Sequence, residues 1–303
     1  YLSYDYIRDV AVLYGMAAFL GVHHSTDHAS QKTKVQNPSP LKDKVENFDE
    51  MVEALARFDR FDLSRTPNFE PRRAGAVPTY VAAAKAPLLY PPIKAGPETR
   101  IRHWLAALDG VAPEALLTGF TQKTLRQWKR QNKGHRTFTV IRHPVQRLHT
   151  AFVDHILGQG AHTFWDLRAT MRQTYGLPLP EGAPGKTYDA RAHRIAFLAF
   201  VKLVKGNLGG QTSLRVDPAW ASQSELLQGL AQVQVPDMVL REEDLERGLT
   251  QLAEQVGLKS PGATPAVDGA PVPLTAIYDD TLEAEVRGVY QRDYMMFGFR
   301  AWQ

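Results

Sequence analysis

Cysteine is absent from all 303 residues, which removes disulfides, thiolate nucleophiles and cysteine-ligated metals. A reducing, cytoplasmic compartment is expected on that ground. Long apolar runs are missing too: the longest, Val10 to Val22, covers thirteen residues, short of the roughly 20 that a membrane-spanning helix needs. It reads as a core helix. No His-Glu-x-x-His or clustered carboxylate spacing occurs around Asp189, His193 and Asp217, so no metal is expected. The Gly-Lys-(Ser/Thr) triplet at Gly185-Lys-Thr187 lacks the glycine five residues upstream that a phosphate-binding loop carries, Pro180 standing there, and no evident magnesium carboxylate appears, which disfavours a P-loop kinase. Neither charge sign dominates, with 36 Lys and Arg against 32 Asp and Glu for a net +4. That balance favours an anionic ligand only weakly. The densest basic stretch, Lys123 to Lys133, reads as the solvated face of a helix, and no nucleic-acid partner is expected. The chain opens on Tyr1 rather than methionine, as a fragment or processed product does.

What is present is enough apolar residue, 44% of the chain, to bury a sizeable core. Helical periodicity covers residues 6–21 and 49–58, with Pro38 and Pro40 in the loop between. From Ser64 the composition turns to Arg, Pro, Gly and Asn. This predicts an N-terminal segment over 1–63, a linker over 64–85 and a main domain over 86–303. In that domain strands are expected at 86–90, 137–141 and 236–240. Helices are expected at 101–108, 114–131, 144–157, 190–208, 244–256 and 280–290. Strands alternating with helices imply an α/β fold of three layers, a central parallel sheet flanked by helices.

Two strand ends carry cations, and ligands of such sheets bind beyond the carboxyl ends of the strands, where helix N-termini offer N–H groups. The first is Ile93-Lys-Ala-Gly-Pro-Glu-Thr-Arg100. There Gly96 permits close backbone approach, Lys94 is a point charge and Thr99 places a hydroxyl at a helix start. The second is Thr137-Phe-Thr-Val-Ile-Arg-His-Pro-Val-Gln-Arg-Leu-His-Thr150. Arg142 ends the strand, Pro144 suits the first helical position, and Arg147 and Thr150 share a helix face on which guanidinium and hydroxyl could converge on a phosphate.

The ordered pair of a lysine loop and a later Arg-x-Pro-x-x-Arg-x-x-(Ser/Thr) resembles the sulfotransferases that use 3′-phosphoadenosine-5′-phosphosulfate (PAPS), in particular carbohydrate-type and bacterial nodulation-type members. Trp220-Ala-Ser-Gln223, the run Val239 to Leu245 and Tyr290-Gln-Arg-Asp-Tyr294 extend the likeness. The resemblance implies a P-loop-like sulfotransferase fold and a PAPS donor. Lys94, Gly96 and Thr99 would lie around the 5′-phosphosulfate, and Arg142 and Thr150 on the 3′-phosphate. The acceptor implied is a hydroxyl of a carbohydrate or glycoconjugate, met by loops such as 158–190 and 259–275. It also pairs Leu2-Ser-Tyr-Asp-Tyr-Ile7 and its helix with Val239 to Leu258. The step from Asp5 to Gly21 is 16 residues and that from Glu242 to Gly257 is 15. Residues 1–63 thus read as the tail of a missing upstream domain of the same kind.

Two positions depart from the family loop, Pro97 and Glu98. Proline removes an N–H donor, and a carboxylate about 4 Å from a phosphate charge costs about 4 kcal/mol at an effective dielectric near 20. Glu98 must therefore point away, or the site is impaired. The general base that a hydroxyl nucleophile needs is also not evident, because Leu116-Leu-Thr-Gly-Phe120 holds no titratable side chain. His103, Asp154 and His155 are the candidates, with His155 preferred. The alternative is a catalytically degenerate module that keeps the fold and binds a nucleotide or glycan.

Overall fold

β2 (Leu88–Tyr90) and β3 (Arg136–Ile141) are almost wholly buried and pair in parallel, with Leu88 opposite Arg136 and Leu89 opposite Thr137. β4 (Met238–Arg241) continues the parallel set, Phe138 opposite Met238 and Ile141 opposite Arg241. A fourth strand, β1 (Val81–Ala82), runs antiparallel to β2 at the other edge, giving the order β1-β2-β3-β4. The expected all-parallel sheet is therefore a mixed one. Its antiparallel edge lies in the stretch read as linker, where a two-residue strand is too short to leave an alternating pattern.

The computed structural model describes residues 14, 17, 39–51, 53, 77–185, 188–263, 265 and 269–303. The expected strand at 2–7 and most of the expected helices at 6–21 and 49–58 lie outside the described residues, as does most of the expected linker. The chain divides into two units, Tyr1–Ala54 and Leu55–Gln303.

Alternate residues of β2 enter opposite layers, as the period of a strand requires. Leu88 and Tyr90 join a cluster with Ile101, Trp104 and Leu105 of α1 (Glu98–Asp109) and Leu249 and Leu252 of α7 (Leu245–Gln255). Leu89 joins Leu125 and Trp128 of α2 (Gln122–Gln131). Helices thus cover both faces. α1 ends on Gly110 in the left-handed region at φ 62°, whose N–H returns to the carbonyls of Ala106 and Ala107.

The helix expected over 114–131 is interrupted. Leu117 bridges to Ala82, Gly119 adopts φ 66°, and Thr121 restarts the helix with a reciprocal cap to Thr124. α3 (Pro144–Ala151) starts on the expected proline, and the chain continues as a π-helical segment over Phe152–Leu157. α4 (Trp165–Gln173), α6 (Gln223–Ala231) and α9 (Gln291–Phe297) had no expectation. α5 (Ala190–Leu208), capped by Asp189, and α8 (Asp280–Val289), capped by Asp279, match theirs within one residue. The largest cluster, with Val145, Leu148, Phe152, Phe197, Phe200, Trp220 and Leu282, also takes in Ile93 and Ile141 at the strand ends. Among the described residues no helix is long and apolar enough to cross a membrane.

Candidate functional site

The turn after β2 is built around Gly96. Its N–H donates to the Ile93 carbonyl at 2.9 Å, and Ala95 adopts φ 61°. A Cβ on Gly96 would stand 2.7 Å from that carbonyl oxygen, so only glycine fits without moving backbone. α1 follows at once, with Pro97 as its cap residue and no side-chain hydrogen bond to its first amides. Its positive end is thus not taken up by its own cap. Glu98 does point away: its carboxylate accepts from Arg102 Nε at 2.8 Å, one turn along the helix. Thr99 is exposed. Behind the turn the Tyr90 hydroxyl is buried with no hydrogen-bond partner, and burial, followed by the Glu98 charge, pushes its ionisation up.

Arg142, at the end of β3, is held at both its main chain and its side chain. Gln223 Oε1 accepts from the Arg142 N–H, and Gln223 Nε2 donates to the Arg142 carbonyl, each at 2.9 Å. Gln223 is itself fixed by Asp293, whose carboxylate accepts from the N–H groups of Gln223 (2.7 Å) and Ser224 (2.9 Å) at the start of α6. The guanidinium donates through Nε and Nη2 to the two oxygens of Glu242, the second bond being 3.0 Å. Through Nη1 it donates to Thr150 Oγ1 at 3.1 Å and to the Ala95 carbonyl at 3.2 Å. Arg100 reaches the same Glu242 at 3.0 Å. Arg142 and Thr150 are thus brought together beside the Lys94 turn.

Arg147 does not join them. The expected convergence of Arg147 and Thr150 is replaced by a tether: Arg147, 2% exposed, donates to the carbonyls of Lys94 (3.0 Å), Ala221 (2.7 Å) and Pro218 (2.6 Å). A guanidinium buried this deeply must satisfy its donors, and the carbonyls of two turns do so. The lysine turn is thereby tied to the 218–221 segment.

Lys94 Nζ donates to Asp217 Oδ1 at 3.1 Å and lies 4.4 Å from the centre of the Phe164 ring. Phe164 also stacks on His155, ring centres 4.4 Å apart and planes 3° from parallel. His155 Nδ1 is 2.9 Å from the His162 carbonyl. A carbonyl only accepts, so Nδ1 carries the proton and the neutral ring keeps Nε2 as its acceptor nitrogen. Burial, with the Lys94 charge as a further contribution, holds the imidazole below its ordinary range. Of the other base candidates, His103 is exposed on α1, and Asp154, also exposed, precedes His155 on the π-helical segment. Segments of this kind recur at functional sites.

Asp217 was considered in the sequence only as a metal-capable type, and among the described residues no group of three His, Asp or Glu is placed to hold a metal. Its neighbours Trp220 to Gln223 were the available signal. His149 is 5% exposed, its Nε2 2.9 Å from His193 Nε2. The flanking His143 caps α3 with Nδ1 and donates from Nε2 to the Arg300 carbonyl at 2.8 Å.

No curated protein and no solved structure matches the chain. A sequence model described as "Sulfotransferase family" matches residues 114–300, a span that contains Arg142, Thr150, His155, Asp217, Gln223, Glu242 and Asp293 and begins beyond the Lys94 turn. With well over half of its length matched, the chain belongs to the sulfotransferase family.

Proposed function

We propose that this chain transfers the sulfuryl group of PAPS to a hydroxyl of a carbohydrate or glycoconjugate. One observation carries the reading: an ammonium, Lys94, and a neutral imidazole with its acceptor nitrogen retained, His155, meet on the same Phe164 ring. Sulfuryl transfer requires a cation for the departing phosphate and a proton acceptor for the incoming hydroxyl. The acceptor oxygen forms a bond to sulfur while the bond from sulfur to the 5′-phosphate oxygen breaks. The electron pair leaves with adenosine 3′,5′-bisphosphate, stabilised by Lys94, and the hydroxyl proton goes to His155 Nε2. Gly96 and the N-terminus of α1 suit an anionic 5′ group, with Thr99 at the helix start, and Arg142 with Thr150 suits the 3′-phosphate.

The carbohydrate acceptor, a bacterial source and a cytoplasmic setting rest on the motif resemblance and the lack of cysteine. The same resemblance underlies the proposal that residues 1–63 are the tail of an upstream domain. Transfer from labelled PAPS to a panel of glycans tests the function: Lys94→Ala should abolish it, and transfer unchanged by that substitution refutes the assignment.

A second reading, a degenerate binding module, is favoured by the closure of Glu242 on Arg142, which fills part of the guanidinium fork with a carboxylate of the chain itself. Calorimetry with adenosine 3′,5′-bisphosphate separates the two. Tight binding that Arg142→Ala weakens supports a working donor site, and no binding supports degeneracy.

A further inference from the structure

Between Glu114 and Asp154 the sequence holds no acidic residue, yet it carries eight Lys and Arg in a chain whose net charge is only +4. Five of the eight, Lys123, Arg126, Lys129, Arg130 and Lys133, fall on α2 or just beyond its end. Lys123, Arg126 and Arg130 follow the i, i+3, i+7 spacing that lines up one helix face, and with Lys133 they are exposed. Among the described residues none of the five has an acidic partner within ion-pair distance. Arg126 with Arg130 is a like-charge pair one turn apart on α2, which disfavours the helix. A merely solvated face would carry interspersed signs.

We propose that this face of α2 is a docking surface for an acidic polysaccharide chain, separate from the transfer site. Separation follows from packing: α2 rests through Leu125 and Trp128 on the cluster around Tyr80, Leu89 and Phe120, whose buried residues are distinct from those of the cluster against which Phe164 packs, with Leu227 lying between the two. From Lys123 to Arg130 the helix rises about 10 Å, so the cations form a straight rail for a linear polyanion. Stacking platforms for nucleobases are absent from it, because its one aromatic, Trp128, is 6% exposed and set in the core. Insertion into a lipid surface needs a free apolar face, and that of α2 is covered. An anion that neither stacks nor inserts fits this rail. The polysaccharide identity of the occupant rests on the transferase reading above, whereas the cationic rail does not.

The test compares the unaltered 303-residue chain with a Lys123→Gln, Arg126→Gln, Arg130→Gln triple variant, whose exposed sites are set apart from the core. Binding of size-defined heparin and hyaluronan fragments is measured by fluorescence anisotropy between 50 and 300 mM salt. A single-stranded oligonucleotide and anionic vesicles serve as rival ligands. Wild type should bind the polysaccharides with affinity falling steeply in salt, and the triple variant at least tenfold more weakly, with bisphosphate binding unchanged in both. Equal binding by the variant, no polysaccharide binding by wild type, or tighter binding of oligonucleotide or vesicles overturns the proposal. A misfolded triple variant would show in its bisphosphate binding, and the single Arg126→Gln change would then replace it. Polysaccharide binding through α2 without bisphosphate binding would sink the transferase reading alone, and bisphosphate binding without polysaccharide binding would sink the docking surface alone.

Discussion

Gln223 holds Arg142 by its main chain, accepting from the N–H and donating to the carbonyl at 2.9 Å each, immediately beyond the last residue of β3. Gln223→Leu leaves both groups buried and unpaired, and each such group costs roughly 1–3 kcal/mol. Urea denaturation should show a loss of about 3 kcal/mol at unchanged slope. Bisphosphate affinity should fall as well, since the guanidinium is aimed from that backbone. A neutral outcome in both measurements would remove Gln223 from the site.

Gly96→Ala should destabilise the protein and weaken donor binding together. The added Cβ meets a backbone carbonyl at 2.7 Å, not a flexible side chain, so the turn itself must shift. The Arg147 bond to the Lys94 carbonyl moves with it. Overpacking of this kind typically costs about 1–3 kcal/mol, which thermal unfolding with and without bisphosphate would register.

His155 predicts the shape of the pH–rate curve. Its neutral form is the proton acceptor, and burial depresses its titration, so transfer should persist below the ordinary imidazole range and fall only under more acidic conditions. His155→Gln should lower kcat and abolish that acidic limb while leaving bisphosphate affinity intact. An unchanged limb would move the base elsewhere, with Asp217 the nearest carboxylate to Lys94.

The buried His149 and His193 pair predicts a stability window. Burial lowers His193 to about 4, against 6.5 ordinarily. Between those values the unfolded chain binds the proton and the folded chain does not. Stability is therefore complete above pH 6.5 and is lost as pH falls towards 4, by about 3 kcal/mol at about 1.4 kcal/mol per unit. Chemical denaturation of wild type and His193→Phe across pH 7 to 4 would show the difference as a flatter slope in the variant.

Local chemistry made part of this molecule legible. The β-branched run before Arg142 and the proline after His143 set a strand end and a helix start that the structure reproduces within one residue. The nearness of the Lys94 turn, Arg142 and Thr150 was legible because a tight turn and a strand end leave short signatures. Asp217 and Lys94 are 123 positions apart, and Gln223 and Arg142 are 81 apart. No periodicity encodes such pairs. The echoes at 220–223 and 290–294 converge on Arg142 through Gln223 and Asp293, so the resemblance carried spatial information that spacing alone did not. Arg147 was misread because helical spacing names the neighbours on a face, not the carbonyls of other turns that a buried guanidinium reaches.

The π-helical stretch over Phe152–Leu157 makes the length of this element part of its meaning. Its looser coil accommodates one more residue than an α-turn of the same rise, and so His155 reaches Phe164 while Phe152, Ile156 and Leu157 remain in the interior. Removing any one of its residues other than His155 would let the coil tighten and swing the imidazole off its ring, with every side chain of the site still present. Single-residue deletions, rather than substitutions, are the changes this stretch is least able to absorb.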